Sequence, residues 1–160
     1  LDLALGVFRS GANDEPVQTV DVSALLQSMV DDRIEQGQQV AFAGGPAFAS
    51  ARPLALRRVF DNLLNNAIRY GKRADVLVET SDERIRVQID DAGPGIDPAL
   101  LDSVFQPFFR VESSRNRSTG GSGLGLYIAR DLLRQQGGEV VLSNLQGGLR
   151  VEVRLLRASP

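Results

Sequence analysis

The run "ADVLVETSDERIRVQID", residues 74 to 90, decides the fold. Two β-rich stretches, "ADVLVET" and "RIRVQID", flank the polar "SDE", which is the signature of a hairpin turning at residues 81 to 83. A second hairpin follows near the end of the chain, where "EVVLSN" (139 to 144) and "LRVEVRLL" (149 to 156) meet across "LQGG". Two such hairpins are incompatible with a repeated strand-helix-strand winding. The expected architecture is therefore an α/β two-layer sandwich, with a mixed, mostly antiparallel sheet and its helices on one face.

Working outward, the apolar spacing places three helices around these strands. Asp21 can cap a helix in which Val22, Leu25, Leu26, Met29 and Val30 recur through about Gln36. "QQVAFAG" (38 to 44) reads as a strand. Pro53 sits at a first-turn position, and Leu56, Val59, Phe60, Leu63, Leu64 and Ala67 form one stripe of a helix that Gly71 ends. A short helix is expected at "ALLDSVF" (99 to 105). Residues 111 to 122 are polar and aperiodic and read as a loop; 124 to 136 form a last helix, closed by Gly137 and Gly138. The opening "LDLALGVFR" reads as a helix end, and "SGANDEP" as a loop.

Composition narrows the chemistry. Eighteen Lys and Arg against twenty Asp and Glu leave a net charge of −2, which gives no general attraction to nucleic acid or to an anionic membrane. The chain holds no Cys and no His, which excludes disulfides, thiolate metal sites and histidine-based nucleophilic catalysis within it. No apolar run approaches the roughly 20 residues that cross a bilayer, so a soluble domain is expected.

Three features remain that can carry function. Gly121, Gly123 and Gly125 alternate where the last helix opens, so its unpaired backbone amides can approach a phosphate; a loop end that merely packs closely is the plainer reading. In "DDAGPGI", Gly93, Pro94 and Gly95 make a tight turn that leaves Asp91 able to accept from a ligand amine. Asn62 and Asn66 stand four apart on one face of the 53 to 70 helix, among core-like neighbours, and an oxygen-ligated Mg²⁺ would satisfy such an amide.

Taken together, "NLLNNAIRYG", "DDAGPGI", "FQPFFR" and "GGSGLGL" resemble, in sequence and order, the N box, first glycine box, phenylalanine box and second glycine box of the ATP-binding catalytic domain of bacterial sensor histidine kinases. The resemblance is to the osmosensor type within the GHKL superfamily and spans roughly residues 20 to 157. It implies a Bergerat-type fold, with a mixed five-stranded sheet under three helices, at residues 21 to 157. Residues 1 to 10 would be the remnant of a dimerisation helix, 11 to 20 a linker, and about 97 to 122 an ATP lid anchored by Phe105 and Phe108.

By the same resemblance ATP and Mg²⁺ are the cofactors. Asn66 matches the Mg²⁺ ligand, and Asn62 lies one turn earlier on the phosphate side. Tyr70 lies beside the base and Arg69 and Lys72 near phosphate, while Asp91 matches the aspartate that accepts from the adenine amine. Gly93, Gly95 and Ile96 shape that pocket; Gly121, Gly123, Leu124, Gly125 and Leu126 match the phosphate-contacting helix start. Arg110, Arg115 and Arg117 are candidate phosphate ligands on the lid, with Asn62 and Arg110 the candidates for a part in catalysis.

The implied partners are the parent protein's own dimerisation and histidine-phosphotransfer domain, which holds the acceptor histidine, and a response regulator receiver domain. The implied setting is the cytoplasmic side of a bacterial inner-membrane protein, homodimeric as a whole, with this piece monomeric. A serine kinase of the anti-sigma-factor type and a regulatory nucleotide-binding module share the fold. A hydrolysing ATPase of the gyrase kind needs a glutamate as base where this chain has Asn62, an amide that cannot serve.

Overall fold

The computed structural model describes residues 15 to 107 and 125 to 159. Strand β1 (Gln18–Asp21) leads into helix α1 (Val22–Glu35). Strands β2 (Gln39–Gly44) and β3 (Phe48–Ala51) precede helix α2 (Pro53–Gly71). The first hairpin is β4 (Arg73–Thr80) with β5 (Arg84–Asp90). Helix α3 (Gly125–Arg134) precedes the second hairpin, β6 (Glu139–Leu145) with β7 (Gly148–Leu156).

Five strands form one sheet in the order β2-β4-β5-β7-β6, and only the β2–β4 pair is parallel. That parallel pair is closed by a crossover through β3 and α2, which lays α2 across the sheet. In β4, Ala74, Val76 and Val78 are buried while Asp75, Leu77 and Glu79 face outward. A strict period of two means that one face is covered and the other is open, so the helices share the covered face as expected. Phe60, Leu56, Leu63 and Leu64 of α2 fill the space between layers together with Leu132 and Leu133 of α3 and Ile85, Ile89 and Leu155 of the sheet, all fully buried.

Local signals held at the helix ends. The Asp21 side chain accepts from Ala24 N at 3.0 Å, capping α1. Pro53 stands at the start of α2, but Arg52 contributes no side-chain cap. The orphan amides of Leu54 and Ala55 are met instead by Glu15, whose carboxylate oxygens accept from them at 2.7 and 3.0 Å. A carboxylate there also complements the positive end of the helix dipole. After α3, Gly137 takes φ +78° and so supplies the left-handed stop.

Three features depart from the sequence reading. β1 and β3, four residues each, pair antiparallel as a separate ribbon that was not expected, and β1 begins within residues read as linker. In place of one short helix over 99 to 105 there are two single 3₁₀ turns, Pro98–Leu100 and Ser103–Phe105. Finally, Gly71 is the last helical residue of α2, and the left-handed position falls on Lys72 at φ 65°.

Candidate functional site

The stripe Asn62, Asn66 and Tyr70 runs along α2 at successive i,i+4 steps, a span of about 12 Å. Asn62 and Asn66 are half-buried, whereas Asn65 between them is exposed. The spaced pair therefore faces something and the third amide faces water, as their spacing suggested. What they face is the start of α3. Asn62 Nδ2 donates to the Gly125 carbonyl at 3.5 Å, and a Cβ built on Gly125 would lie 3.6 Å from Asn66 Nδ2 and 3.7 Å from its Oδ1.

The Asn66 side chain takes no hydrogen bond from any described residue. Among the described residues no group of three or more acidic, Cys or His side chains could hold a metal. A hard cation here would have to be held by an amide oxygen together with oxygens that a ligand brings. Asn66, half-buried and beside a glycine, fits that requirement.

At the other end of α2 lies Asp91, and the surrounding chain is built to admit it. The Oδ1 atom accepts from Gly93 N at 2.9 Å and from Leu149 N at 3.1 Å, while the Asp91 amide donates to Leu149 O at 3.0 Å. Its Oδ2 takes no hydrogen bond from the described residues, so one oxygen of a firmly oriented carboxylate is left for a ligand donor. The neighbouring carboxylate is not available in this way. Asp90 receives Arg150 Nε at 2.8 Å and Nη2 at 2.9 Å, and that pair of hydrogen bonds, above all, raises the Arg150 pKa.

Glycines pack closely around Asp91 and its turn. A Cβ on Gly71 would overlap the Asp91 side chain, one on Gly148 would overlap the Asp91 carbonyl oxygen, and one on Gly93 would come within 2.6 Å of the Tyr70 carbonyl oxygen. Sequence reasoning found Gly93 but took Gly71 for a helix terminator and Gly148 for part of a turn. Only the fold shows that both are glycine because Asp91 occupies the space. Gly95 adopts φ +74° and lies against Asn144, whose amide grips the backbone of Ile96.

Tyr70 at the margin is a little over one-third exposed, and Arg69 and Lys72 are exposed. Lys72 holds a left-handed conformation that costs a side-chain-bearing residue roughly 1 kcal/mol. Lys72→Gly should therefore raise stability by about 1 kcal/mol, a few degrees in Tm by thermal unfolding. If Lys72 also lies near phosphate, as the resemblance implies, the same variant should bind a nucleoside triphosphate several-fold less tightly in a titration.

Phe105 is buried, and the Arg130 guanidinium of α3 lies 4.4 Å from its ring centroid. Desolvation by burial, then the nearby Arg134, lowers the Arg130 pKa. Ile96 and Leu126 pack partly buried against the core. Phe108, Arg110, Arg115, Arg117, Gly121, Gly123 and Leu124 lie outside the described residues, as do residues 1 to 10.

Comparison with known proteins adds to this geometry. The family described as "Histidine kinase-, DNA gyrase B-, and HSP90-like ATPase" matches residues 51–159. Sensor histidine kinase GtrS of Pseudomonas aeruginosa is 40% identical over 144 residues, covering 89% of this chain and 30% of that protein. Sensor histidine kinase CpxA of Escherichia coli K12 is 31% identical over 146 residues, 86% of this chain and 32% of that protein. The chain thus spans about a third of the length of these curated relatives. In fold, it superposes with a TM-score of 0.75 on the ATP binding domain of PrrB from Mycobacterium tuberculosis at 24% identity, covering 91% of this chain and 100% of that one.

Proposed function

The chain belongs to the histidine kinase-, DNA gyrase B- and HSP90-like ATPase family, and from that premise we propose that it is the ATP-binding catalytic domain of a two-component sensor histidine kinase. The observation that carries the reading is the arrangement along α2. One helix presents two amides to the N-terminal end of α3, and at its far end meets a carboxylate with one oxygen unclaimed by the described residues. An adenosine nucleotide is complementary to both ends. Its amine suits Asp91, and its phosphates suit the glycine-bordered helix start.

Asp91 selects the base, Gly71 and Gly148 make room for Asp91 itself, Gly93 lets the turn lie against the end of α2, and Tyr70 walls one side. Asn66 would supply an oxygen to Mg²⁺, which when bound would neutralise phosphate charge. Asn62, lacking basicity, orients rather than abstracts. Exposed Arg69 and Lys72 offer cations at the rim. The described part of the expected lid, residues 97 to 107, is fastened by Phe105 beneath Arg130.

The chain contains no histidine, so the phosphoryl acceptor is supplied from outside this sequence, on a dimerisation domain of the parent protein. From there the group passes to the aspartate of a response regulator, and the parent is a membrane-bound homodimer. No described helix is long and apolar enough to cross a membrane.

Calorimetric titration of this chain with a non-hydrolysable ATP analogue, with and without Mg²⁺, tests the reading. Saturable binding is expected, tightened by Mg²⁺ in the natural sequence, with that tightening largely absent from Asn66→Ala. A folded chain that binds no nucleotide would overturn the assignment.

A further inference from the structure

Resting on the reading of Asp91 as the base-selecting group, we propose that Asn144, on strand β6 and far from the glycine boxes in sequence, is a positioning residue for the nucleotide base. Its side-chain Oδ1 accepts from Ile96 N at 2.8 Å and its Nδ2 donates to Ile96 O at 2.6 Å. A primary amide that engages both backbone groups of one residue acts as a single strand rung, fixing distance and orientation together. Nothing in ordinary turn chemistry requires this. The contact reaches across 48 residues of sequence, and the turn at 91 to 96 contains its own Asp91-to-Gly93 hydrogen bond.

The placement of Asn144 within its hairpin gives the contact its meaning. Asn144 pairs with Leu149 across β6 and β7, and Leu149 grips Asp91 through both its N–H and its carbonyl. One rung of the hairpin therefore holds both ends of the turn, Asp91 through the backbone of Leu149 and Ile96 through the side chain of Asn144. Gly95 admits the amide: at φ +74° it turns the chain, and a Cβ there would come within 2.6 Å of Asn144 Oδ1. Between the two grips lie Gly93 and Gly95, which have no side chains to hold the turn by packing. Without the amide the Ile96 end of the turn is released, and the turn is held only at its Asp91 end, by Leu149 and by the Ala92 N–H that donates to the Gly71 carbonyl at 3.2 Å. The expected lid segment, which starts at residue 97, begins immediately beyond Ile96.

Asn144 is exposed, so its truncation leaves no cavity and the variant should fold. Two measurements on Asn144→Ala, with Asn144→Asp as the variant that keeps the acceptor and loses the donor, test the role. In the nucleotide-free chain, amide hydrogen exchange at Ile96, Gly93 and Leu149 should quicken at least about tenfold in Asn144→Ala and less in Asn144→Asp, with exchange in the α2 core unchanged. In titrations below the unfolding range, adenosine and a non-hydrolysable ATP analogue should lose affinity by the same factor, about tenfold. The gain from Mg²⁺ should stay at its unmodified value, because the loss is at the base end.

Unchanged exchange at the three amides would overturn the clamp. Affinity lost for the triphosphate but not for adenosine, or no affinity lost while the unmodified chain binds, would overturn the positioning role and leave the nucleotide reading standing. An unmodified chain that binds neither compound while the exchange still responds would overturn the nucleotide reading, and the positioning role with it.

Discussion

Asp91→Ala should weaken binding of an ATP analogue by about 100-fold, close to the loss expected when a charge-assisted hydrogen bond to a buried ligand group disappears. The same truncation removes the acceptor for Gly93 N and Leu149 N, so a modest fall in Tm should accompany it. Asp91→Asn separates the two effects. Its amide oxygen can still accept from both backbone N–H groups, so the turn should hold and Tm should stay near the unmodified value. The remaining position now carries an N–H donor, which opposes the adenine amine and suits the oxygen of a 6-oxopurine. Calorimetry should therefore show Asp91→Asn losing the ATP analogue nearly as severely as Asp91→Ala while gaining ground for inosine or guanosine triphosphate. Equal affinity of the unmodified chain for adenosine and inosine nucleotides would defeat this account of base selection.

The second large effect should come from a single methyl group. In Gly148→Ala the new Cβ would occupy the place of the Asp91 carbonyl oxygen, and that backbone cannot withdraw while Asp91 N remains bonded to Leu149 O. The end of β5 and the start of β7 must part. Overpacking of this kind costs about 1–3 kcal/mol, and because the parting displaces Asp91 itself, nucleotide affinity should collapse as well. Gly147→Ala is the control. Gly147 has φ +81° but open space around a Cβ, so alanine there should cost only the backbone strain, about 1 kcal/mol, and leave affinity unchanged. Urea unfolding paired with titration distinguishes these neighbours; similar behaviour of the two variants would refute the collision.

What could be read in advance follows the range of the interactions. The capping of α1 by Asp21, the start of α2 at Pro53 and both hairpins rest on signals within a few residues, and all were legible. The shared, half-buried face of Asn62 and Asn66 was legible from their spacing because helical periodicity is local. The β1–β3 ribbon was not legible, since four-residue strands are too short to show alternation and their partners lie 27 to 33 residues apart. For the same reason Glu15 gave no sign that it would cap a helix starting 38 residues later. Nor could the sequence explain Gly71 and Gly148, which are demanded by Asp91 arriving from elsewhere, or show what becomes of Asp90 beside it. Arg150, 60 residues away, occupies Asp90.

The contacts that floor the site join distant parts of the chain: Leu149 to Asp91 across 58 residues, and Asn144 to Ile96 across 48. Neither hairpin contains the site when folded by itself. Any fluctuation that separates β5 from β7 thus erases it while leaving both hairpins whole. A ligand that binds only the closed arrangement suppresses every such fluctuation, by about 2.7 kcal/mol when present at one hundred times its dissociation constant. For a nucleotide bound as proposed, cellular ATP becomes the latch on the middle of the sheet, and a molecule starved of it is the one a protease reaches first.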